Sequence, residues 1–406
     1  MVGTDASICM LLDGPITHDG QSQRTVRTLS SVARVLVVTA GGSSEDQELF
    51  DERAQVRPTV RPSLSGLRKF FLLHRQNDHL VEAALADGRR FDVVWANDYS
   101  TLVPALRVAQ ATGAKLAYHS HEIWLATINQ LFPHEGKPHR QLAFRAVVAI
   151  CRAIGNFWEP RLARHADVVL TANQSFAEVL SEHLGRSDIR VVLNCPERTE
   201  LRVSDRIRSE LGFAANDHIV LYQGIMNPGR GLHELVASAR DFPDGVRLVM
   251  LGGGVLEDSL RRAVEDAGLE DRVYLPGTVP HAELPEWTAS ADLGVLVLDP
   301  INLSKRLALA NKVFEYMAAG IPVLTTDLPE NRRILDQCDC GWLIADWAPP
   351  VLAEHIARIL AQPEEMRRRG LNGRRWFEER YNWDVESRRL LAAVDGILPG
   401  AVIDGT

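Results

Sequence analysis

The residues best suited to chemistry lie in a short predicted helix that begins at Asn311 and ends at Gly320. Asn311 is a favourable N-cap residue, apolar residues follow at helical spacing, and Pro322 begins the next strand. The free N–H groups and the positive dipole end at the start of a helix suit phosphate. Glu315, early in the helix, can accept hydrogen bonds from a pair of ribose hydroxyls. An ordinary capped helix with a surface glutamate is the alternative at this point.

Alternating strands and helices must position this helix. Short apolar runs recur along the chain with helical patterns between them, which predicts an α/β protein with parallel, doubly wound sheets. Such sheets bind ligands at the carboxyl ends of their strands, so we expect the chemistry in a cleft that two sheets face. The predicted strands span residues 7–12, 35–39, 92–96, 115–119, 168–171, 219–222, 247–251, 273–275, 294–297 and 322–325.

Length and composition indicate the number of domains and the class of protein. At 406 residues the chain is too long for one ordinary core. We predict an N-terminal domain over residues 1–194, a C-terminal domain over 195–375, and a final helical segment, 376–406, that crosses back to the first domain. A net charge of −8 disfavours nucleic-acid binding, and five scattered cysteines fit a reducing compartment. No apolar run is long enough to span a membrane, so we expect a cytoplasmic protein.

Further motifs accompany the helix of Glu315 along most of the chain. They occupy residues 95–98, 118–122, 192–194, 221–232, 248–254, 273–279, 289–294 and 310–323. Taken in this order, they resemble glycosyltransferase family 4 (group 1), whose members have the GT-B fold of two Rossmann-like domains facing a central cleft. The resemblance implies that the first domain binds an acceptor and the second binds a nucleotide-sugar.

The same resemblance assigns roles to single residues. Glu315 would bind the ribose hydroxyls, while Asn311 and Lys312 would present backbone N–H groups to the diphosphate. Arg230 stands where the family has a phosphate-neutralising lysine, and a guanidinium can serve there because it keeps its charge and grips phosphate with two donors. The other implied donor contacts are Gly224, Gly252, Thr278 and Val279.

The resemblance also places two polar residues of the first domain at the reaction. His121 would lie beside the donor sugar and Asp98 in the acceptor half of the cleft. The expected catalytic residues are therefore His121, Asp98 and Arg230.

Two positions depart from the family pattern. Leu307 stands eight residues before Glu315, where the family often has a second glutamate that touches the donor sugar. Ile225 stands where the family often has an arginine. These departures leave the sugar open, and they keep a catalytically weak sugar-nucleotide-binding protein as an alternative. The cations that can replace the arginine are Lys305, Arg306 and Lys312.

The expected reaction needs neither a metal nor a cofactor. The chain has no Asp-x-Asp motif, and Arg230 with the helix start can stabilise the charge on a departing diphosphate. The resemblance implies a hexosyltransferase that retains the anomeric configuration. Family frequency makes a UDP-sugar the first choice of donor and a GDP-sugar the second. The acceptor is unidentified, and polysaccharide, glycolipid or glycoconjugate synthesis is the expected setting.

Other kinds of site fit the sequence less well. The glycines at 252–254 lack the acidic residue after the next strand that a dinucleotide site needs. His119 and His121 point the same way on a strand but have no third metal ligand, and Cys338 and Cys340 have no second pair. A phosphorylase would need a pyridoxal-binding lysine, and none is marked out. A nucleotide-sugar epimerase of the same fold stays open, and it would turn over the donor without an acceptor.

Two basic clusters bear on location and partners. Residues 57–75 carry five basic residues and no acid, and residues 137–164 carry six basic residues and one acid, each with aromatic neighbours. Basic helices with aromatic residues can lie on an anionic membrane. The alternative is a solvated face over a buried stripe. The membrane interpretation predicts a lipid-linked acceptor and a peripheral location on the inner face of the membrane.

Overall fold

A computed structural model of the chain describes residues 6–60, 77–123, 126 and 138–398, with backbone alone for 18 and 138–147. The chain divides into two compact units. The first contains Met1–Asn194 together with Glu386–Thr406, and the second contains Cys195–Val385. Part of the final helical segment thus packs with the N-terminal half of the chain.

The first unit is built on a parallel sheet that has seven strands in the described residues, in the order β3-β2-β1-β4-β5-β6-β7. The direction of the order reverses between β1 and β4, which is the switch point of the sheet. The strands are β1 Ser7–Leu12, β2 Arg34–Ala40, β3 Ala54–Thr59, β4 Val93–Asn97, β5 Lys115–Ser120, β6 Val168–Thr171 and β7 Arg190–Val191. The helices are α1 Gly20–Ser30, α2 Asp78–Leu85, α3 Asp98–Thr112, α4 Pro138–Ala163 and α5 Gln174–Leu184, with 3₁₀ turns at Ile16–His18 and Ser44–Leu49.

The second unit repeats this design with six parallel strands in the part of the chain described, in the order β10-β9-β8-β11-β12-β13. Its switch point lies between β8 and β11. The strands are β8 His218–Gln223, β9 Val246–Leu251, β10 Val273–Gly277, β11 Leu293–Leu296, β12 Val323–Thr326 and β13 Gly341–Ile344. The helices are α6 Arg206–Leu211, α7 Leu232–Ser238, α8 Glu257–Ala267, α9 Leu284–Ala289, α10 Leu303–Leu307, α11 Asn311–Ala319, α12 Pro329–Cys338, α13 Pro349–Leu360 and α14 Pro363–Glu379, with a 3₁₀ turn at Ala239–Asp241.

The last helix, α15 Trp383–Val394, returns the chain to the first unit. Its apolar residues Leu390 and Val394 are buried. The carboxylate of Glu386, also buried, accepts a hydrogen bond of 2.9 Å from the backbone N–H of Leu193. This bond anchors the returning helix to the end of the first unit.

The prediction of an α/β fold with two doubly wound parallel sheets is confirmed. All ten predicted strands are present with ends shifted by no more than two residues. Three strands were not predicted: β3, β7 and β13. Each lies at an edge of its sheet. Polar residues interrupt β3 and β7, so these two edge strands lack the continuous apolar runs of the central strands. β13 is a short apolar run, Gly-Trp-Leu-Ile, that the prediction from sequence overlooked.

Candidate functional site

The loops that follow β8 and β11 contact each other at the switch point of the second sheet. The backbone N–H of Asp299 donates to the carbonyl of Gly229 at 3.0 Å. Gly231 has a φ of +53°, and a Cβ added to it would lie 2.3 Å from Cγ1 of Val297. Only glycine therefore allows this approach. The switch point is where sheets of this topology bind ligands.

The backbones of three strand ends lie side by side next to this point. Gly224 donates its N–H to the carbonyl of Leu251 at 2.9 Å, and Gly252 donates to the carbonyl of Gly277 at 2.9 Å. Gly252 has a φ of +133°, and a Cβ on it would stand 2.0 Å from the carbonyl oxygen of Gly224. The missing side chains leave a surface of bare backbone that a planar base or a phosphate can approach.

Thr278 and Val279 continue this surface beyond β10. Thr278 is exposed, and its methyl carbon would be 3.5 Å from a Cβ added to Gly253. Val279 follows it and is half-buried. The predicted contacts Gly224, Gly252 and Thr278 therefore come together, although their sequence positions span more than fifty residues.

Glu315 lies at the carboxyl end of β8, where buried polar groups hold it in place. Gln223, the last residue of β8, donates from Nε2 to Glu315 Oε2 at 2.5 Å. Lys312 donates from Nζ to both oxygens of the same carboxylate, at 2.8 and 2.9 Å. Thr288 donates in turn to Gln223 Oε1 at 2.8 Å. Glu315 and Lys312 remain 17% and 18% exposed, so the carboxylate is oriented and still accessible.

Tyr316 fixes the helix that carries Glu315. Its hydroxyl donates to the carbonyl of Leu221 at 3.0 Å and accepts from the backbone N–H of Gln223 at 3.2 Å. Its ring packs on Gly294 of β11, where a Cβ would come within 2.4 Å of the ring. Burial raises the pKa of Tyr316 well above its usual range, so the hydroxyl keeps its proton. The helix is thereby pinned to both strands of the switch point.

The start of α11 differs from the sequence prediction. Asn311 is the first residue of the helix rather than its N-cap, and Ala310 stands at the cap with no side-chain hydrogen bond. The prediction failed because a loop conformation, not a polar side chain, begins this helix. The first-turn N–H groups consequently have no side-chain acceptor at the cap, which suits an anionic ligand.

Arg230 lies in the loop after β8, beside Tyr222. Burial raises the pKa of Tyr222, and the charge and hydrogen bond of Arg230 oppose that rise. The hydroxyl of Tyr222 also donates to the carbonyl of Ile225 at 2.9 Å. Ile225 itself is 51% exposed, whereas Leu307 is buried at the end of α10. The arrangement puts a cation next to the bare backbone of the strand ends.

Lys312 lies close to the position where the family's arginine is missing. A Cβ on Gly224 would be 3.7 Å from Cε of Lys312. Lys312, one of the three cations that the sequence offered as replacements, therefore lies beside this strand end.

Asp98 and His121 come together at the switch point of the first sheet. Asp98 follows β4 directly and has a φ of +59°, an uncommon conformation for a residue with a side chain. Its Oδ1 accepts a hydrogen bond of 2.7 Å from the backbone N–H of His121. The pKa of Asp98 is raised to about 6, chiefly by burial; the charge and backbone hydrogen bond of His121 oppose the rise, and Glu122 and Asp19 add to it. The site therefore holds a carboxyl group that titrates near neutral pH.

A buried polar cluster adjoins this pair. The rings of His119 and His121 meet edge to face with centroids 4.2 Å apart, and Trp95 contacts His119 at 5.8 Å. Both nitrogens of His119, the indole nitrogen of Trp95 and Oδ1 of Asn97 are buried without a hydrogen-bond partner among the described residues. Burial holds the pKa of His119 well below its usual range, so this ring is neutral. Water or a ligand hydroxyl normally satisfies such atoms.

The described residues contain no group of three His, Cys, Asp or Glu side chains arranged to hold a metal ion. Cys338 and Cys340 are free and buried.

The raised pKa of Asp98 predicts a gain in stability for Asp98→Asn. Burial disfavours the ionised form of Asp98 in the folded chain. The contribution of this carboxyl group to the free energy of unfolding is therefore complete below its ordinary pKa of about 3.9, where it is protonated, and is lost as the pH rises through about 6. Asparagine tolerates a positive φ and its oxygen can still accept from His121. We expect the variant to melt several degrees higher than the parent at pH 8, with the difference shrinking towards pH 5, as measured by thermal unfolding.

Asp87→Asn is the matched control, because a hydrogen bond from Arg57 lowers the pKa of Asp87. It should show no such gain at any pH. An Asp98→Asn variant that melts no higher than the parent at pH 8 would contradict the assignment.

Sequence reasoning missed Gln223, Thr288 and Tyr316, which hold Glu315 and its helix. The available signal was a polar residue, Gln223, at the end of an otherwise apolar strand. Burial of a glutamine side chain without hydrogen-bond partners is unfavourable, so its position indicated a hydrogen bond to another buried polar group. Which residue it would contact depended on the order of the strands.

Comparisons with known proteins agree with this architecture. A family model described as glycosyl transferases group 1 matches residues 203–376, and one described as a glycosyl transferase 4-like domain matches residues 23–196. The chain is 28% identical over 167 residues, which is 40% of this chain and 43% of the relative, to a GDP-mannose-dependent alpha-(1-6)-phosphatidylinositol monomannoside mannosyltransferase of Mycobacterium tuberculosis. It is 29% identical over 203 residues, 48% of this chain and 44% of the relative, to a D-inositol 3-phosphate glycosyltransferase of Segniliparus rotundus.

The alignments thus span about half the length of the curated relatives. Among solved structures, the chain is similar to Anabaena HepE in complex with UDP and glucose. The TM-score is 0.73 at 18% identity, and the match covers 96% of this chain and 99% of the other. At this identity the likeness shows the fold.

Proposed function

Because this chain belongs to glycosyltransferase family 4 (group 1) and has the GT-B fold, we propose that it transfers a sugar from a nucleotide-sugar to a hydroxyl acceptor without a metal. The observation that carries the proposal is the continuous row of contacts at the second switch point. This row runs from Thr278 through the glycines at 252 and 224 to Lys312 and Glu315. It offers an open surface for a base, an oriented carboxylate for a ribose and, in Lys312, a cation for a diphosphate.

The carboxylate of Glu315 suits a ribose diol. Gln223 and Lys312 occupy part of its hydrogen-bonding capacity and fix its orientation. A carboxylate has about four lone-pair sites, and these two residues occupy three of them, so one site is free for a ribose hydroxyl. Movement of Lys312 towards the phosphate frees the sites that a second hydroxyl needs. We place the ribose here because a buried amide and an ammonium group orient the carboxylate before any ligand arrives.

Positive charge next to the strand ends replaces a metal in the proposed mechanism. Cleavage of the bond between sugar and phosphate loads negative charge onto the leaving diphosphate. Arg230 and the first-turn N–H groups of α11 stabilise that charge without reorganising. Lys312 supplies the cation that Ile225 lacks, by moving from Glu315 towards the phosphate. We propose that the anomeric configuration is retained, as the family resemblance implies.

We propose a UDP-sugar as the donor and a GDP-sugar as the second choice. The Anabaena structure contains UDP and glucose, and the mycobacterial relative is named for GDP-mannose. Both curated relatives are named as transferases, which favours transfer over epimerisation. In the first unit, we propose that Asp98 binds the acceptor and that His121 contacts the donor sugar.

A panel of nucleotides tests the proposal. The purified chain is melted in EDTA with UDP, GDP, ADP and the matching monophosphates and sugar conjugates. Saturation at about 100 times Kd stabilises a protein by about 2.7 kcal/mol, so one diphosphate should raise Tm by several degrees and its monophosphate by much less. If none raises Tm at millimolar concentration, the proposed donor site is wrong.

A further inference from the structure

The second half of α4 exposes a stripe of large apolar side chains. Ile150, Ile154, Phe157 and Trp158 are 53%, 39%, 50% and 49% exposed. Their spacing of four, three and one residues puts them on one face of the helix. Single exposed apolar residues are ordinary, but four on one face over about two turns mark a surface that meets an apolar partner.

The opposite face of α4 is firmly packed, which shows that the stripe is not a core face. Val148 and Glu159 on this face are buried. Glu159 Oε1 accepts from the hydroxyl of Tyr118 at 2.8 Å, and its Oε2 lies 3.2 Å from Nε2 of His183. The helix is therefore anchored to the first unit by one side and presents the apolar stripe on the other.

The charges around the stripe are positive. Arg161 and Arg164 are exposed beside the stripe, and the guanidinium of Arg161 lies 3.4 Å from the centroid of the Phe157 ring. Glu159 is the one acid between residues 148 and 165, and it faces the interior. Aromatic residues flanked by arginine side chains with apolar stems suit the headgroup region of an anionic leaflet.

We propose that the second half of α4 is a membrane-docking surface for an anionic leaflet, and that this leaflet carries the acceptor. The presence of the acceptor in this leaflet rests on the proposed function, whereas the docking surface does not. No helix among the described residues combines the length and apolar character needed to cross a bilayer. The helix therefore lies in the plane of the interface, with the rings of Phe157 and Trp158 among the headgroups. Of the basic residues predicted for a membrane surface, Arg61, Arg68, Lys69, Arg75 and Lys137 lie outside the described residues.

Vesicle co-sedimentation of the full chain tests the docking surface. Vesicles of phosphatidylcholine with about 30% phosphatidylglycerol are compared with phosphatidylcholine alone, at about 0.05 M and about 0.5 M NaCl. We expect binding to the anionic vesicles at low salt and release at high salt. The double variant F157S/W158S should bind at least about tenfold more weakly, because both inserted rings are lost. Leu371→Ser, at a residue 49% exposed on α14, should bind like the parent.

Three outcomes would overturn the proposal. The parent fails to bind anionic vesicles at low salt, or F157S/W158S binds as well as the parent. In the third outcome, light scattering shows that the parent is a dimer and the double variant a monomer, and the parent does not bind vesicles. A second copy of the chain would then be the occupant of the stripe. Thermal unfolding without nucleotide is run on the same variants, and an unchanged Tm shows that they fold. Because sedimentation needs no nucleotide, failure of the donor site leaves this test intact.

Discussion

Glu315→Ala will weaken binding of the preferred nucleoside diphosphate by about 100-fold or more. Hydrogen bonds to a charged group contribute about 1.5–3 kcal/mol each, and two of them to the ribose are lost. Gln223 and Lys312 also lose the carboxylate that they hold. Isothermal titration of the parent and the variant measures the change directly.

The 2′-deoxynucleotide separates a ribose contact from a general disturbance of the site. The parent should bind the deoxynucleotide about tenfold more weakly than the ribonucleotide, whereas Glu315→Ala should bind the two equally. Glu265→Ala, which removes an exposed carboxylate from α8, should behave like the parent. A variant that keeps the discrimination against the deoxynucleotide would show that Glu315 does not hold the ribose.

Arg230→Ala will lower kcat by about 100- to 1000-fold while changing KM much less. Removal of one preorganised donor from a developing negative charge typically has this effect, because the contact is stronger in the transition state than in the ground state. Arg230→Lys should recover much of the rate, since it keeps the positive charge and loses only the bidentate hydrogen bonding to phosphate. Release of nucleoside diphosphate from the donor, followed at steady state, gives both constants.

Arg262→Ala is the matched control for lost charge, because Arg262 is an exposed cation on α8. It should leave kcat unchanged. If Arg230→Ala retains more than about a third of the parent rate, the charge of the leaving group is stabilised elsewhere, and Lys312 becomes the principal cation.

The central strands could be predicted from the sequence because burial on both faces leaves a continuous apolar signature. β1 and β6 begin and end where that signature does. β3 could not be predicted in the same way, because Arg57 and Pro58 interrupt it at the sheet edge, where the packing allows them. The start of α11 was misplaced by one residue because a polar side chain is only one of the ways to begin a helix.

Residue type and local spacing predicted Glu315, but its surroundings are products of topology. The contact between Gln223 and Glu315 joins residues 92 positions apart, and it exists because β8 and β11 are neighbours at the switch point. The positive φ of Asp98 and its bond to the backbone of His121 likewise arise from the pairing of β4 with β5. No pattern within a single segment encodes such contacts. Helices and strands can therefore be predicted from local sequence, whereas the contacts within the site depend on the order of the strands in the sheet.

The most direct test of the proposed transfer is the release of nucleoside diphosphate in EDTA, from the nucleotide-sugar that raises Tm most. We predict slow release by hydrolysis without a metal, acceleration by a membrane extract that contains the acceptor, and loss of both with Glu315→Ala. Release that requires a divalent metal, or that continues at the parent rate in Glu315→Ala, would contradict the metal-independent site built around Glu315 and Arg230.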